Sequence, residues 1–136
     1  MPQPPPLRDD EVVYIAIRNP NFMNVATDRI SPNAFYMRPG DFDGSPPHGI
    51  STTVLDHCPT IEEIKNITGL KSRVCGVDSL RVGSIRAMGL AVVRLSQTKS
   101  LIVGMPYPSG DEDYEMAEER NILANKLAAI SHRGMR

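Results

Sequence analysis

Between Arg38 and Thr53 the chain gathers more chemistry-bearing side chains than anywhere else along its length: Arg38, the acidic turn Asp41-x-Asp43-Gly44, His48 and the hydroxyl run Ser51-Thr52-Thr53. Two carboxylates one residue apart suit a hard cation. A calcium loop, however, needs a closing bidentate glutamate and an uninterrupted backbone, and here Pro46 and Pro47 intrude. Asp and Gly also favour turns through local hydrogen bonds and left-handed backbone. No dedicated metal site is therefore expected, and Arg38, Asp41, Asp43 and His48 are read as a ligand-binding loop.

A second concentration is His57-Cys58, with Cys75 downstream. Adjacent residues of an extended segment point to opposite faces, which spoils both a shared tetrahedral ion and a Cys–His hydrogen bond. Cys58 and Cys75 are expected as two buried thiols, with Cys58 a core thiol before Pro59, rather than as a bridge. Arg73, Arg81, Arg86 and Arg94 are spread over several elements and read as solvated charges. Asp111-Glu112-Asp113 sits at a helix start, where the macrodipole favours acids. Neither Walker, GxGxxG, GxSxG nor HExxH spacing occurs.

The remaining pair is Arg18, at the end of the first strand signal, and Ser51 to Thr53 on a later one. An arginine there can fork onto a phosphate, and hydroxyls can hold a ribose. An arginine on a first strand followed by an S-T-S-like triplet resembles the R-S-E plan of ADP-ribosyltransferase-type domains. The resemblance implies NAD as the bound dinucleotide, with Arg18 contacting it and Ser51 and Thr53 bracing the cleft, Thr53 standing where that family has serine. It also requires a strand glutamate, whereas the E-x-x-E pair Glu115 and Glu118 falls in a predicted helix. The segment from Tyr14 to Val93 is also similar to a group of small bacterial proteins of unassigned activity, through its tyrosine strand, Phe35-x-x-Arg38-Pro39 turn and Gly49-Ile50-Ser51 strand start.

The elements that must position these residues follow from periodicity and punctuation. A polyproline lead, Met1 to Asp10, is expected to be disordered. Glu11 to Arg18 (EVVYIAIR) reads as a strand, ended by Asn19-Pro20. Phe22 to Ile30 suggests a short helical turn, Asn33 to Arg38 a second strand closed by Pro39-Gly40, and Gly49 to Leu55 a third. Thr60 to Lys71 is a helix with a Thr60/Glu63 capping box and an end at Gly69. Arg73 to Val77 is a short strand, with Asp78 as N-cap of a helix over Ser79 to Met88. Leu90 to Leu95 and Leu101 to Met105 form a hairpin. A last helix follows Ser109 with Glu112 as its capping-box acid and runs to about Ser131.

Mixing hairpins with helices, this order predicts a single α+β domain over residues 11–136, mainly antiparallel with two or three packed helices. The chain has 136 residues, enough for one hydrophobic core, and 15 basic against 16 acidic residues, so broad capture of nucleic acid is not expected. Aromatics make up only 5% with no Trp, too few for a base-stacking platform. With no apolar leader, no membrane-length run and two cysteines, a cytoplasmic setting is expected. Three functions follow: a small binding or accessory protein with a protein partner and no required cofactor; an NAD-binding ADP-ribosyltransferase-like enzyme, intact or degenerate; or an oligomerisation module pairing edge to edge through Leu101 to Met105.

Overall fold

A computed structural model describes residues 4–24, 29–37, 46–69, 74–107 and 114–134. Its centre is a sheet of six antiparallel strands. In chain order the strands are β1 (Val12–Ile17), β2 (Met23–Asn24), β3 (Arg29–Ile30), β4 (Ile50–Val54), β5 (Gly76–Arg81), β6 (Ala91–Arg94), β7 (Lys99–Val103) and β8 (His132–Arg133). The large sheet is ordered β6-β7-β4-β1-β5-β8, and β2 pairs with β3 in a separate ribbon. The helices are α1 (Ile61–Thr68), α2 (Val82–Ala87) and α3 (Tyr114–Ile130). A single α+β fold with a mainly antiparallel sheet is what the sequence predicted.

Strand alternation divides the apolar residues between two faces. On the main face Val13, Ile15 and Ile17 of β1, Ile50 of β4, Leu80 of β5 and Ile102 of β7 meet Val82 and Ile85 of α2 and Leu123, Ala124 and Leu127 of α3. On the opposite face Tyr14 and Val77 pack with Ile64 of α1 and with Val74. The α1 capping box forms as expected: the Glu63 amide donates to Thr60 Oγ1 at 3.1 Å and the Thr60 amide to Glu63 Oε1 at 3.2 Å. Gly69 ends the helix at φ 72°, a conformation that glycine adopts without a Cβ penalty.

Five expectations about these elements are corrected. The proline lead is not disordered from Pro4 onward: Leu7 is buried in the main core, and Arg94 Nη1 donates to the Pro5 carbonyl at 3.3 Å. The described part of Asn33 to Arg38, residues 33–37, is not a strand. Pro32–Phe35 forms a 3-10 helix, because Pro32 presets φ and the Ser31 hydroxyl accepts from the Asn33 amide. Of the described residues in Phe22 to Ile30, Phe22 ends the 3-10 turn Pro20–Phe22, and the others are strand: Met23 pairs with Ile30 and Asn24 with Arg29. Asp78 is not the N-cap of α2, a position that Arg81 holds: it lies within β5 opposite Ile15 and is 2% exposed. Leu101 to Met105 is no edge, since β7 lies between β6 and β4.

Candidate functional site

Three places bring functional side chains together. The first is the strand end nominated by the sequence. Because β1 and β4 run antiparallel, with Tyr14 opposite Thr53, the end of β1 adjoins the start of β4. Arg18, one residue past β1, and Ser51 thus lie at the same end of neighbouring strands, and both are exposed. His48 is half-buried just before β4, while Thr52 and Thr53 are buried. Gly49 fits there for a steric reason: a Cβ would collide with the carbonyl of Ile102. Arg38, Asp41 and Asp43, together with Arg73, Ser109 and the acidic run at 111–113, lie outside the described residues.

The glutamates do not join this group. Ser51 alternates with main-face Thr52, so it projects from the other face, whereas α3, bearing Glu115 and Glu118, packs on the main face through Leu123 and Leu127. Thr52 Oγ1 instead shares a 2.6 Å buried hydrogen bond with Ser100 Oγ across β4 and β7. The hydroxyl run is divided by the pleat: one member is free to meet solvent, and one ties two strands together.

The second place is the loop before α1. His57 is held between two carboxylates, Nδ1 at 2.7 Å from Asp56 Oδ1 and Nε2 at 2.9 Å from Glu63 Oε2. The hydrogen bonds to Glu63 and then Asp56 raise the imidazole's pKa, and the same contacts hold both carboxyls below their ordinary range. When protonated, the ring donates to both carboxylates and has no lone pair to take a proton from a thiol. Cys58 is exposed rather than a core thiol, and Cys75 is half-buried; both are free. Nearby Tyr14 has its phenol pKa pushed up, first by burial and then by the charges of Cys58 and Asp56. Among the described residues no group of three or more His, Cys, Asp or Glu is placed to hold a metal ion. The arginines do not make one basic face: Arg86 pairs with Asp9 at 2.7 Å, and Arg94 is spent on backbone carbonyls.

The third place was not anticipated. A cleft of about 500 Å³ opens between the β2–β3 ribbon and the C-terminal half of α3. Asn21, Met23, Arg29, Ile30, Ser31 and Pro32 form one wall, and Asn125, Ala128 and Ala129 the other. The walls are fixed from behind. Phe35 is fully buried, the Tyr36 hydroxyl donates to Asn121 Oδ1 at 2.6 Å, and the Arg120 guanidinium lies 4.3 Å from the Tyr36 ring centroid. That cation–π contact offsets the buried Arg120 Nε, which finds no hydrogen-bond partner among the described residues.

Polar groups in the cleft are partly uncommitted. Arg29 Nη2 donates to the Ala129 carbonyl at 3.2 Å, a cation at the negative end of α3. Asn125 Nδ2 donates to the Asn121 carbonyl at 2.8 Å, and its Oδ1 has no partner among the described residues. Among the described residues the Asn21 side chain makes no hydrogen bond, and its turn is held by its backbone amide donating to Asn19 Oδ1. The lining thus combines the amides of Asn21 and Asn125 with the apolar residues Met23, Ile30, Pro32 and Ala128.

The sequence carried a weak signal for this site in the asparagine-rich stretch Asn19-Pro20-Asn21-Phe22-Met23-Asn24. Its other wall is about a hundred residues away, a separation no local pattern spans. Comparison with protein-family models, curated proteins and solved structures finds no match to this chain.

Proposed function

We propose that this chain is a small binding module that takes an extended, uncharged peptide segment of a partner protein in the cleft between the β2–β3 ribbon and α3. The observation that carries the reading is the lining, in which the carboxamide residues Asn21 and Asn125, on opposite walls, stand beside the apolar Met23, Ile30 and Pro32. A carboxamide has the donor and acceptor of a peptide group and pairs with one directly. Methionine is adaptable enough to follow side chains of differing shape. The cleft is open along one side, so it does not enclose the 70–90% of surface that a tight small-molecule site covers, whereas a peptide needs only one side buried. The single guanidinium in the lining already serves the α3 carbonyl end, which removes the main attraction for an anion.

A cytoplasmic setting is part of the proposal, supported by the free, exposed thiol of Cys58, which persists where the medium is reducing. Among the described residues no helix is long and apolar enough to cross a membrane. Panning the immobilised chain against displayed random linear peptides tests the reading. Selected peptides should bind the chain and lose about tenfold in affinity, roughly 1.4 kcal/mol, to Asn125→Arg, which fills the cleft from an exposed position. Equal binding to that variant, or no enrichment, would remove the proposal.

A further inference from the structure

The sheet has two edges, and they differ. At one end β8 is only two residues long, charged at Arg133 and followed by Gly134, where a Cβ would collide with the Val77 carbonyl. Such a short charged edge is a poor template for another strand. The other edge is β6, Ala91-Val92-Val93-Arg94, which contains no lysine, proline or bulge. Its only charge, Arg94, is folded away: Nε donates to the Ser96 carbonyl, Nη2 to that of Gln97 and Nη1 to that of Pro5.

Register decides which backbone groups remain open. The Leu95 amide donates to the Lys99 carbonyl at 2.8 Å, so residues 91, 93 and 95 turn their hydrogen-bonding groups toward β7. Val92 and Arg94 turn theirs outward, and among the described residues no strand pairs with them. Side chains alternate oppositely. Ala91, Val93 and Leu95 share the face away from the main core, where Ala91 is exposed, Val93 half-buried and Leu95 46% exposed.

We propose that β6 is a homodimer interface, pairing antiparallel with β6 of a second copy about a two-fold axis at Val93. In that register Val92 meets Arg94 of the other copy and Arg94 meets its Val92, so all the outward amides and carbonyls of both strands are used. On the face away from the core, Ala91 lies opposite the other copy's Leu95, Val93 opposite its counterpart, and Leu95 opposite Ala91. The strip is its own complement, apolar against apolar throughout, and it covers Leu95. This match of Ala91, Val93 and Leu95 to the same residues of a second copy is what argues for a second copy as the occupant. The axis is isologous and closes at two subunits, joining two six-stranded sheets without leaving a β6 edge. This interface is separate from the α3 cleft, and neither depends on the other.

Light scattering on the full chain tests it. The expected mass is near twice 15.0 kDa, and Val93→Lys, which sets two ammonium groups against each other on the axis, should return it to 15.0 kDa with unchanged circular dichroism. Val93→Glu alone should do the same, and mixing the two variants should restore the doubled mass, because unlike charges then face each other. Should Val93→Lys fail to fold, Leu95→Lys at the more exposed position replaces it, with the same loss expected. A monomeric wild type at high concentration would overturn the proposal. So would a dimer indifferent to both lysine substitutions, or variants that dissociate but do not recombine when mixed.

Discussion

The Arg29 guanidinium donates from Nη2 to the Ala129 carbonyl at 3.2 Å and so joins the β2–β3 ribbon to the last turn of α3. One bond closes one end of the cleft and also places a cation against the helix's negative terminus. Arg29→Ala should lower stability by about 1 kcal/mol, the usual net worth of such a bond, and weaken peptide binding as the walls part. Urea denaturation and a binding titration on the same protein measure both effects. A fully stable variant would show that the ribbon is held by other contacts.

The His57 staple makes stability depend on pH in a defined direction. His57 is raised in the folded state, so its contribution is complete below the unfolded imidazole value, about 6.5, and is lost as pH rises through the folded value. Asp56 and Glu63 are lowered, so theirs is present above the unfolded carboxyl values, about 4, and lost as pH falls through the folded ones. The melting-temperature difference between wild type and His57→Gln should therefore peak between about pH 5 and 6 and shrink on either side. Added salt should reduce it, because these groups are exposed. A difference that grows toward alkaline pH would contradict the pairing.

Across β4 and β7 the buried Thr52–Ser100 hydrogen bond should show strong coupling. Thr52→Val alone strands the Ser100 hydroxyl, which is 1% exposed, at a cost of about 1–3 kcal/mol. The double variant Thr52→Val with Ser100→Ala should cost less than the sum of the two single changes. A double-mutant cycle by urea denaturation reads the coupling directly; strict additivity would mean that the pair contributes nothing as a pair.

Much of the frame was legible in the sequence, for local reasons. The β-branched run of β1, the Thr60 and Glu63 spacing and the left-handed Gly69 each declare themselves within a few residues. Where two local signals compete, composition alone misleads. Phe35 and Tyr36 carry β propensity, yet Ser31-Pro32 had already committed the backbone to a capped 3-10 turn. Asp78 has the character of an N-cap, but pairing with β1 continues through it to Arg81 and draws it into the sheet. The face of Ser51 relative to Glu115 and Glu118 depends on which side of the sheet α3 occupies, and this is settled by long-range packing. The cleft is hidden for the same reason: asparagine, methionine and alanine form no motif, and only tertiary structure sets residues 21–23 and 29–32 against 125–129.

The NAD reading rests on Arg18 and Ser51 alone, at one strand end, with the α3 glutamates across the sheet. Titrating NAD into the chain by calorimetry should give no saturable heat. Saturable heat that disappears in Arg18→Ala, with the fold intact, would restore the strand end as the functional site in place of the cleft.

The cleft assignment is tested most directly by amide chemical-shift mapping, adding a peptide selected by panning to the ¹⁵N-labelled chain. The shifts should concentrate at Asn21, Met23, Ile30, Ser31, Asn125 and Ala128. Shifts centred instead on His48, Ser51 and Arg18, with the α3 cleft unmoved, would contradict the account.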